Sequence, residues 1–421
     1  SEAAMDAMLE RFLRRFIRVG ALEVTASNGR RYRVGDGAGE LISIRFADAA
    51  AEWRLLRDPE LALGEIFMDG GLLVERGTIY DVLLLSLRNY RNARDIRWMR
   101  FLDRMRVAMR RVRQRNDAQR AQRNVAHHYD IDARLYSLFL DSDRQYSCAF
   151  FEHENQSLED AQLAKKRHIA AKLAIDPGMS VLDIGSGWGG LGLYLGQYCG
   201  ANVTGVTLSH EQLSIAAQRA RERGLSGKVA FRLQDYRDVT EKFDRIVSVG
   251  MFEHVGVGYF DAFFQKLAAT LKDDGVALLH TIGRTDGPGV TNPWITKYIF
   301  PGGYIPAMSE IVAAIERAGL LVTDIEILRL HYALTLRAWR ERFMARRAEA
   351  AAIYDERFCR MWEFYLAASE ATFRVGEDVV FQFQIARKVD ALPITRDYIA
   401  GREALLRARD RALAAVRIAG E

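Results

Sequence analysis

The chain has few cysteines: Cys148, Cys199 and Cys359 lie far apart, with no CxxC pair among 421 residues. Neither a disulfide framework nor a cysteine zinc site is therefore expected, and a reducing cytoplasm suits the composition best. No apolar run approaches the ~20 residues that a membrane-spanning helix needs. Ser1 to Arg15 lacks the continuous apolar core and small-residue cleavage site of a secretory signal, so no export is expected. No internal repeat or low-complexity segment is evident. Hydrophobic residues make up 49% and charged residues 27%, an ordinary globular balance that predicts a soluble protein.

What is present is basic charge. A net charge of +5 and a pI near 9.0 favour an anionic partner, which could be nucleic acid, an acidic substrate or the phospholipid face of a membrane. Eight arginines fall between Arg104 and Arg123, without Pro or Gly and with sparse apolar positions. This run reads as a solvated helix or linker, or as a segment lying against lipid headgroups; without interleaved aromatics it does not suit base stacking, and no nucleic-acid partner is expected. The length predicts two domains. The boundaries expected are a small α+β domain over 1–103, the Arg-rich linker over 104–123, a larger catalytic domain over 124–390 and a helical, Ala- and Arg-rich tail over 391–421, to which no role is assigned. At the start, Met5, Met8, Leu9, Phe12, Leu13, Phe16 and Ile17 recur at helical spacing opposite Arg11, Arg14, Arg15 and Arg18. That amphipathic helix either packs its stripe on its own domain or lies on a membrane surface.

Strand-like runs follow at Ala21–Thr25, Tyr32–Val34 and Leu41–Phe46, then a helix over Ile79–Leu87. From Ser180 short apolar strands alternate with helices: Val181–Ile184, Asn202–Thr207, Lys228–Leu233, Phe243–Val249 and Val276–Thr281. Leu321–Leu328 and Val379–Ala386 come after a long helical insertion and suit an antiparallel edge pair. The fold class expected is α/β: a Rossmann-like, class I methyltransferase seven-stranded sheet with a helical insertion, preceded by the small α+β domain.

Val181-Leu182-Asp183-Ile184-Gly185-Ser186-Gly187-Trp188-Gly189-Gly190 reads as a buried strand entering a glycine-rich turn and then a helix, at the carboxyl end of the sheet where open α/β sheets bind ligands. Glycine lets the backbone approach a ligand and adopt positive φ, and the helix start beyond offers unpaired N–H groups. Alone, a GxGxG string is also met in nicotinamide and flavin proteins or in structural turns. Asp183 can orient the loop. The second strand ends in Thr207-Leu208-Ser209, with no acid where a ribose-binding carboxylate is usual. Gln212, one helical turn on, can supply the missing hydrogen bonds, and Asp235-Tyr236 can flank an adenine.

Several segments together resemble the cyclopropane-fatty-acyl-phospholipid synthases, a family that includes the mycolic acid cyclopropane synthases. They are His128-Tyr129-Asp130, Gln145-Tyr146-Ser147-Cys148-Ala149-Phe150, the glycine loop, Gly205-Val206-Thr207-Leu208-Ser209, Gln234-Asp235-Tyr236-Arg237-Asp238, Ser248-Val249-Gly250-Met251-Phe252-Glu253-His254-Val255-Gly256, Leu279-His280-Thr281-Ile282-Gly283, Tyr298-Ile299-Phe300-Pro301 and Tyr332-Ala333-Leu334-Thr335-Leu336-Arg337-Ala338-Trp339. The likeness spans about Val125 to Ile385. Gly64-Glu65-Ile66-Phe67-Met68-Asp69-Gly70 resembles the additional N-terminal domain of the bacterial phospholipid enzymes.

The resemblance implies an S-adenosylmethionine site at Tyr146, Ser147, Asp183, Gly185, Gly187, Thr207, Gln212, Asp235 and Tyr236. In that family the second strand ends in Thr, so Thr207 with Gln212 is the expected pair. It also implies a catalytic bicarbonate site at Cys148, Glu253, His280, Ile282 and Tyr332. The activity implied is methylene transfer to a cis double bond in an acyl chain of an unsaturated membrane phospholipid, by a homodimer peripherally associated with the inner face of the membrane. Methyl delivery to an alkene leaves a carbocation, and ring closure then needs a replaceable base and a dry, electron-rich pocket. Tyr298, Phe300, Tyr304, Tyr332 and Trp362 are available for that pocket, though aromatics at such spacing are more often core. His127-His128 has no complementary ligand set, and no metal is expected.

Overall fold

The computed structural model describes residues 2–108 and 131–419, so most of the arginine-rich run and the His127-His128 pair lie outside the described residues. The chain forms two compact units: Ser1–Arg113 with Gly289–Pro301 and Ala333–Asp378, and Gln114–Pro288 with Gly302–Tyr332 and Val379–Glu421. These units do not follow a linear division, because two stretches from within 124–390 gather with the N-terminal residues.

In the first unit, β1 (Ala21–Thr25), β2 (Arg31–Val34), β3 (Leu41–Phe46) and β4 (Leu72–Arg76) form a sheet in the order β2-β1-β3-β4. β1 and β3 run parallel; the other two pairings are antiparallel. β4 is not among the strands expected from the sequence; only Leu72 of its five residues is buried. The first helix, Glu2–Phe16, buries Leu9 and Leu13 on its own unit and exposes Arg11, Arg14 and Arg15. Part of its apolar stripe therefore packs on its own unit, while Met8 is 54% exposed.

Helices Pro293–Tyr298 and Glu356–Val375 pack on Pro59–Met68, and Glu356–Val375 also on Ile79–Arg88. A Cβ on Gly64 would come 2.4 Å from Trp294 Nε1, so glycine is what lets the buried indole sit against the helix. The indole N–H donates to Met68 Sδ at 3.3 Å, and Glu65 accepts from Lys297 at 2.6 Å and from the Tyr298 hydroxyl at 2.8 Å. The Gly64–Gly70 segment is therefore a packing seat.

In the second unit the strands are β5 (Ser180–Ile184), β6 (Asn202–Thr207), β7 (Val229–Leu233), β8 (Phe243–Val249), β9 (Leu271–Arg284), β10 (Leu321–Leu328) and β11 (Asp378–Ala386), in the order β10-β11-β9-β8-β5-β6-β7. β5 to β9 are mutually parallel, and the β10–β11 pair is antiparallel, with β10 outermost. This is the class I methyltransferase sheet expected. Leu182 and Ile184 enter one apolar cluster with Phe252, Phe263 and Phe381, while Val181 enters another with Leu173, Leu193 and Leu406. Strand alternation puts these clusters on opposite faces.

The tail gains a role here. Its helix, Asp397–Ala419, packs along helix Leu158–Lys172, burying Leu406 and placing Asp410 2.7 Å from the buried Arg167 guanidinium. Asp410→Ala leaves that charge facing only Glu152. Unfolding free energy should fall by about 2 kcal/mol, short of the ~3–5 kcal/mol for a fully uncompensated buried charge. Leu405→Ala, at a residue 64% exposed, should stay within about 0.5 kcal/mol of the parent in the same denaturant titration.

Candidate active site

Beyond the carboxyl ends of β5, β6 and β8 lies a cleft lined by all nine residues expected to hold the cofactor: Tyr146, Ser147, Asp183, Gly185, Gly187, Thr207, Gln212, Asp235 and Tyr236. β5 ends in the loop, where Gly185 has φ of +81° and a Cβ there would meet the Met251 side chain at 2.9 Å. Only glycine meets both conditions. The Thr207 hydroxyl donates to Gln212 Oε1 at 2.9 Å and accepts from Ser209 N–H at 3.2 Å. That short network stands where an acid is usual. Asp235 is engaged on both oxygens by Arg237, and Tyr236 packs edge-on against Phe263 at 5.3 Å. Burial, partly offset by Arg237, pushes the Tyr236 hydroxyl up to about 12.

Asp183 is fully inside, and its Oδ2 has no hydrogen-bond partner among the described residues. Burial pushes its carboxyl up to about 7, against the pull of Lys165.

Sequence reading missed how the Tyr146-Ser147 segment is held. Helix Leu158–Lys172 presents Gln162, Lys165 and Lys166 at spacings of three and four. Gln162 Nε2 donates to the Ser147 carbonyl at 2.9 Å; Lys165 Nζ donates to Gln145 Oε1 and to Ser147 Oγ, each at 2.7 Å; Lys166 Nζ meets Asp143 at 2.5 Å. Asp143 also pairs with Arg219. Burial brings Lys165 down to about 8, opposed by Asp141. Gln162, Lys165 and Lys166 at spacings of three and four along this helix are the signal that was available for this cluster.

None of the five residues expected at the bicarbonate site lines the cleft. All four side chains expected to act there, Cys148, Glu253, His280 and Tyr332, are buried. Cys148 follows Ser147, and its Sγ lies 3.2 Å from the Ala149 carbonyl. Glu253 sits on the short turn after β8, between the cleft residues Met251 and His254. His280, on β9, is the register partner of Val249, and its carbonyl accepts from Gly250 N–H at 2.9 Å.

One geometry differs from expectation. The Ile282 N–H does not face outward to an anion but donates to Glu253 Oε1 at 2.7 Å. Glu253 Oε2 is then a buried oxygen with no hydrogen-bond partner among the described residues. Burial, opposed by the Ile282 bond, pushes Glu253 up to about 7. A buried acid that is partly protonated near neutrality is a donor suited to a small anion. Tyr332 opens helix His331–Ala345, where its neighbour His331 accepts from Phe151 N–H at 2.9 Å, three residues after Cys148. Of the five aromatics considered for a cation pocket, Tyr298, Phe300 and Trp362 belong to the first unit. There Tyr298 bonds Glu65, and Phe300 and Trp362 pack on Tyr365. No group of His, Cys, Asp and Glu among the described residues could hold a metal ion.

The high Asp183 pKa predicts a pH effect. Because the folded state binds this proton more tightly than the unfolded one, Asp183's contribution to stability is full below its unfolded value and is lost as pH rises through about 7. Asp183→Asn should therefore gain melting temperature relative to the parent between about pH 5 and pH 8; a constant difference across that range would contradict the assignment.

Comparison with known proteins gives consistent matches. A family model described as mycolic acid cyclopropane synthetase matches residues 116–383. Cyclopropane-fatty-acyl-phospholipid synthase of Escherichia coli (strain K12) is 40% identical over 339 residues, covering 80% of this chain and 86% of that protein. Tuberculostearic acid methyltransferase UfaA1 of Mycobacterium tuberculosis is 35% identical over 399 residues, covering 92% of each. Among solved structures, the cyclopropane synthase MmaA2 from Mycobacterium tuberculosis matches with a TM-score of 0.60 and 35% identity, covering 63% of this chain and 98% of that one. The mycolic acid cyclopropane synthase CmaA1 complexed with SAH and CTAB matches with a TM-score of 0.59 and 34% identity, covering 63% and 97%.

Proposed function

The chain belongs to the mycolic acid cyclopropane synthetase family, and on that premise we propose that it transfers a methylene group from S-adenosylmethionine to the cis double bond of an unsaturated phospholipid acyl chain, closing a cyclopropane ring with bicarbonate as base. The single observation that carries this reading is the buried Glu253 carboxyl, bonded to Ile282 N–H on β9 and adjoining residues of the glycine-loop cleft. The phospholipid is preferred as substrate because the similarity to the Escherichia coli phospholipid enzyme covers 80% of the chain.

The residues fit the cofactor. Thr207 and Gln212 offer hydroxyl and amide groups to a ribose, Tyr236 a face to an adenine, and Tyr146 and Ser147, clamped by Lys165 and Gln162, close over the cleft. When bound, the sulfonium supplies an electrophilic methyl. The resulting positive charge on the neighbouring acyl carbon must be kept from water until a proton leaves the new methyl group. Glu253, His280 and Tyr332 are the side chains that would hold bicarbonate, with Glu253, part protonated near neutrality, able to donate to it. A bicarbonate so held is a base that alkylation cannot destroy permanently. The basic charge of the chain favours contact with anionic headgroups, so we read the enzyme as a peripheral membrane protein; that it acts as a homodimer is inferred from its family resemblance alone.

A second reading comes from the relative named a tuberculostearic acid methyltransferase, which the chain matches over 92% of its length: the cation would lose its proton from a chain carbon, leaving a methyl branch beside a retained alkene in place of a ring. Purified protein, phospholipid vesicles and isotopically labelled S-adenosylmethionine separate the two. Fatty acids that gain one CH2 and lose the alkene support cyclopropanation. A methyl branch supports the second reading, and label on a headgroup or no turnover overturns both. Glu253→Ala should cut ring formation at least about 100-fold while calorimetry shows the cofactor still bound, since Glu253 does not line its cleft.

A further inference from the structure

His280 is 2% exposed, and its Nδ1 lies 3.1 Å from the side-chain nitrogen of Gln382 on β11. The other end of that amide settles which of its atoms faces the ring. Lys172 Nζ lies 2.9 Å from Gln382 Oε1. An ammonium group can only donate, so the atom it meets must be the carbonyl oxygen, and the NH2 group must point at His280. An amide NH2 likewise only donates, so Nδ1 must accept and carries no proton.

Lys172 is itself fixed. It is bound by Glu326, which also meets His168 Nε2 at 2.6 Å, while His168 Nδ1 pairs with Glu403 on the C-terminal helix. Burial opposes a charge on His168, but the two carboxylates outweigh it and raise its pKa. For His280 burial and the nearby cations Lys165 and Lys172 act together to hold its pKa well below the usual value, so the ring is neutral. A neutral imidazole with an unprotonated Nδ1 carries its hydrogen on Nε2.

We propose that Lys172 and Gln382 are positioning residues that lock His280 as the neutral Nε2–H tautomer, making it a fixed hydrogen-bond donor to bicarbonate. The identity of the anion rests on the function proposed above; the tautomer does not. The full chain labelled with 15N-histidine should show His280 protonated on Nε2 by NMR; a proton on Nδ1, or on both nitrogens, overturns the lock. Gln382→Glu places an acceptor against Nδ1 at nearly constant volume. It should turn the ring to the Nδ1–H form and weaken bicarbonate binding, titrated with 13C-bicarbonate, by at least about tenfold, with cofactor affinity unchanged. Lys172→Arg, which keeps the cation, should retain the parent tautomer. An unchanged ring in Gln382→Glu, or a turned ring with unchanged bicarbonate affinity, overturns the proposal. If the parent fails to act on phospholipid, the proposed function falls, while the wild-type spectrum still decides the tautomer.

Discussion

A buried carboxyl group must be answered by donors or by a proton, and at Glu253 the backbone N–H of Ile282 answers one oxygen at 2.7 Å. Much of the local architecture serves that bond. β9 runs on to Arg284, past the end of its pairing with β8, which brings Ile282 level with the turn carrying Glu253. The Glu253 carbonyl accepts from Tyr304 N–H at 2.9 Å and so draws the chain after the insertion back onto the same turn. Asp183 on the adjacent strand β5 is also deeply buried, so two acids with raised pKa stand at the carboxyl end of one sheet. Acids kept reluctant to ionise cost folding energy, and such shifts cluster at functional sites.

The sheet was legible because its strands appear as short apolar runs between helices, and all seven runs overlap strands, although the edge strands β7 and β10 each bury a single residue. The cofactor cleft was legible for a related reason: it is built from loops at strand ends, whose residues are contiguous in sequence. What escaped is what depends on packing between remote segments. Lys165 and Gln162 look like surface residues of a helix until the Gln145–Ser147 segment is laid upon them. The Ile282 N–H could be placed at the site from the resemblance, but that its partner is Glu253 follows only from the three-dimensional arrangement.

The Gly64–Gly70 segment shows the same limit from another side. As a string it resembles part of an N-terminal domain, but its glycine answers an indole more than two hundred residues away, Trp294, and its Glu65 answers Lys297 and Tyr298. Segments interleaved in this way cannot be cut apart at a linker: the first unit holds residues from three separate stretches of chain, so its folding has to wait until the last of them is made.

Helix Leu158–Lys172 has no idle side. Gln162, Lys165 and Lys166 grip the segment over the cleft, Arg167 and His168 meet the C-terminal helix, and Lys172 reaches Gln382. With 3.6 residues per turn, adding or removing one residue would swing every later side chain by about 100°. Substitution can be absorbed at single positions along such a rod, but its length in residues is frozen, as the pitch of a screw is frozen once every thread is engaged.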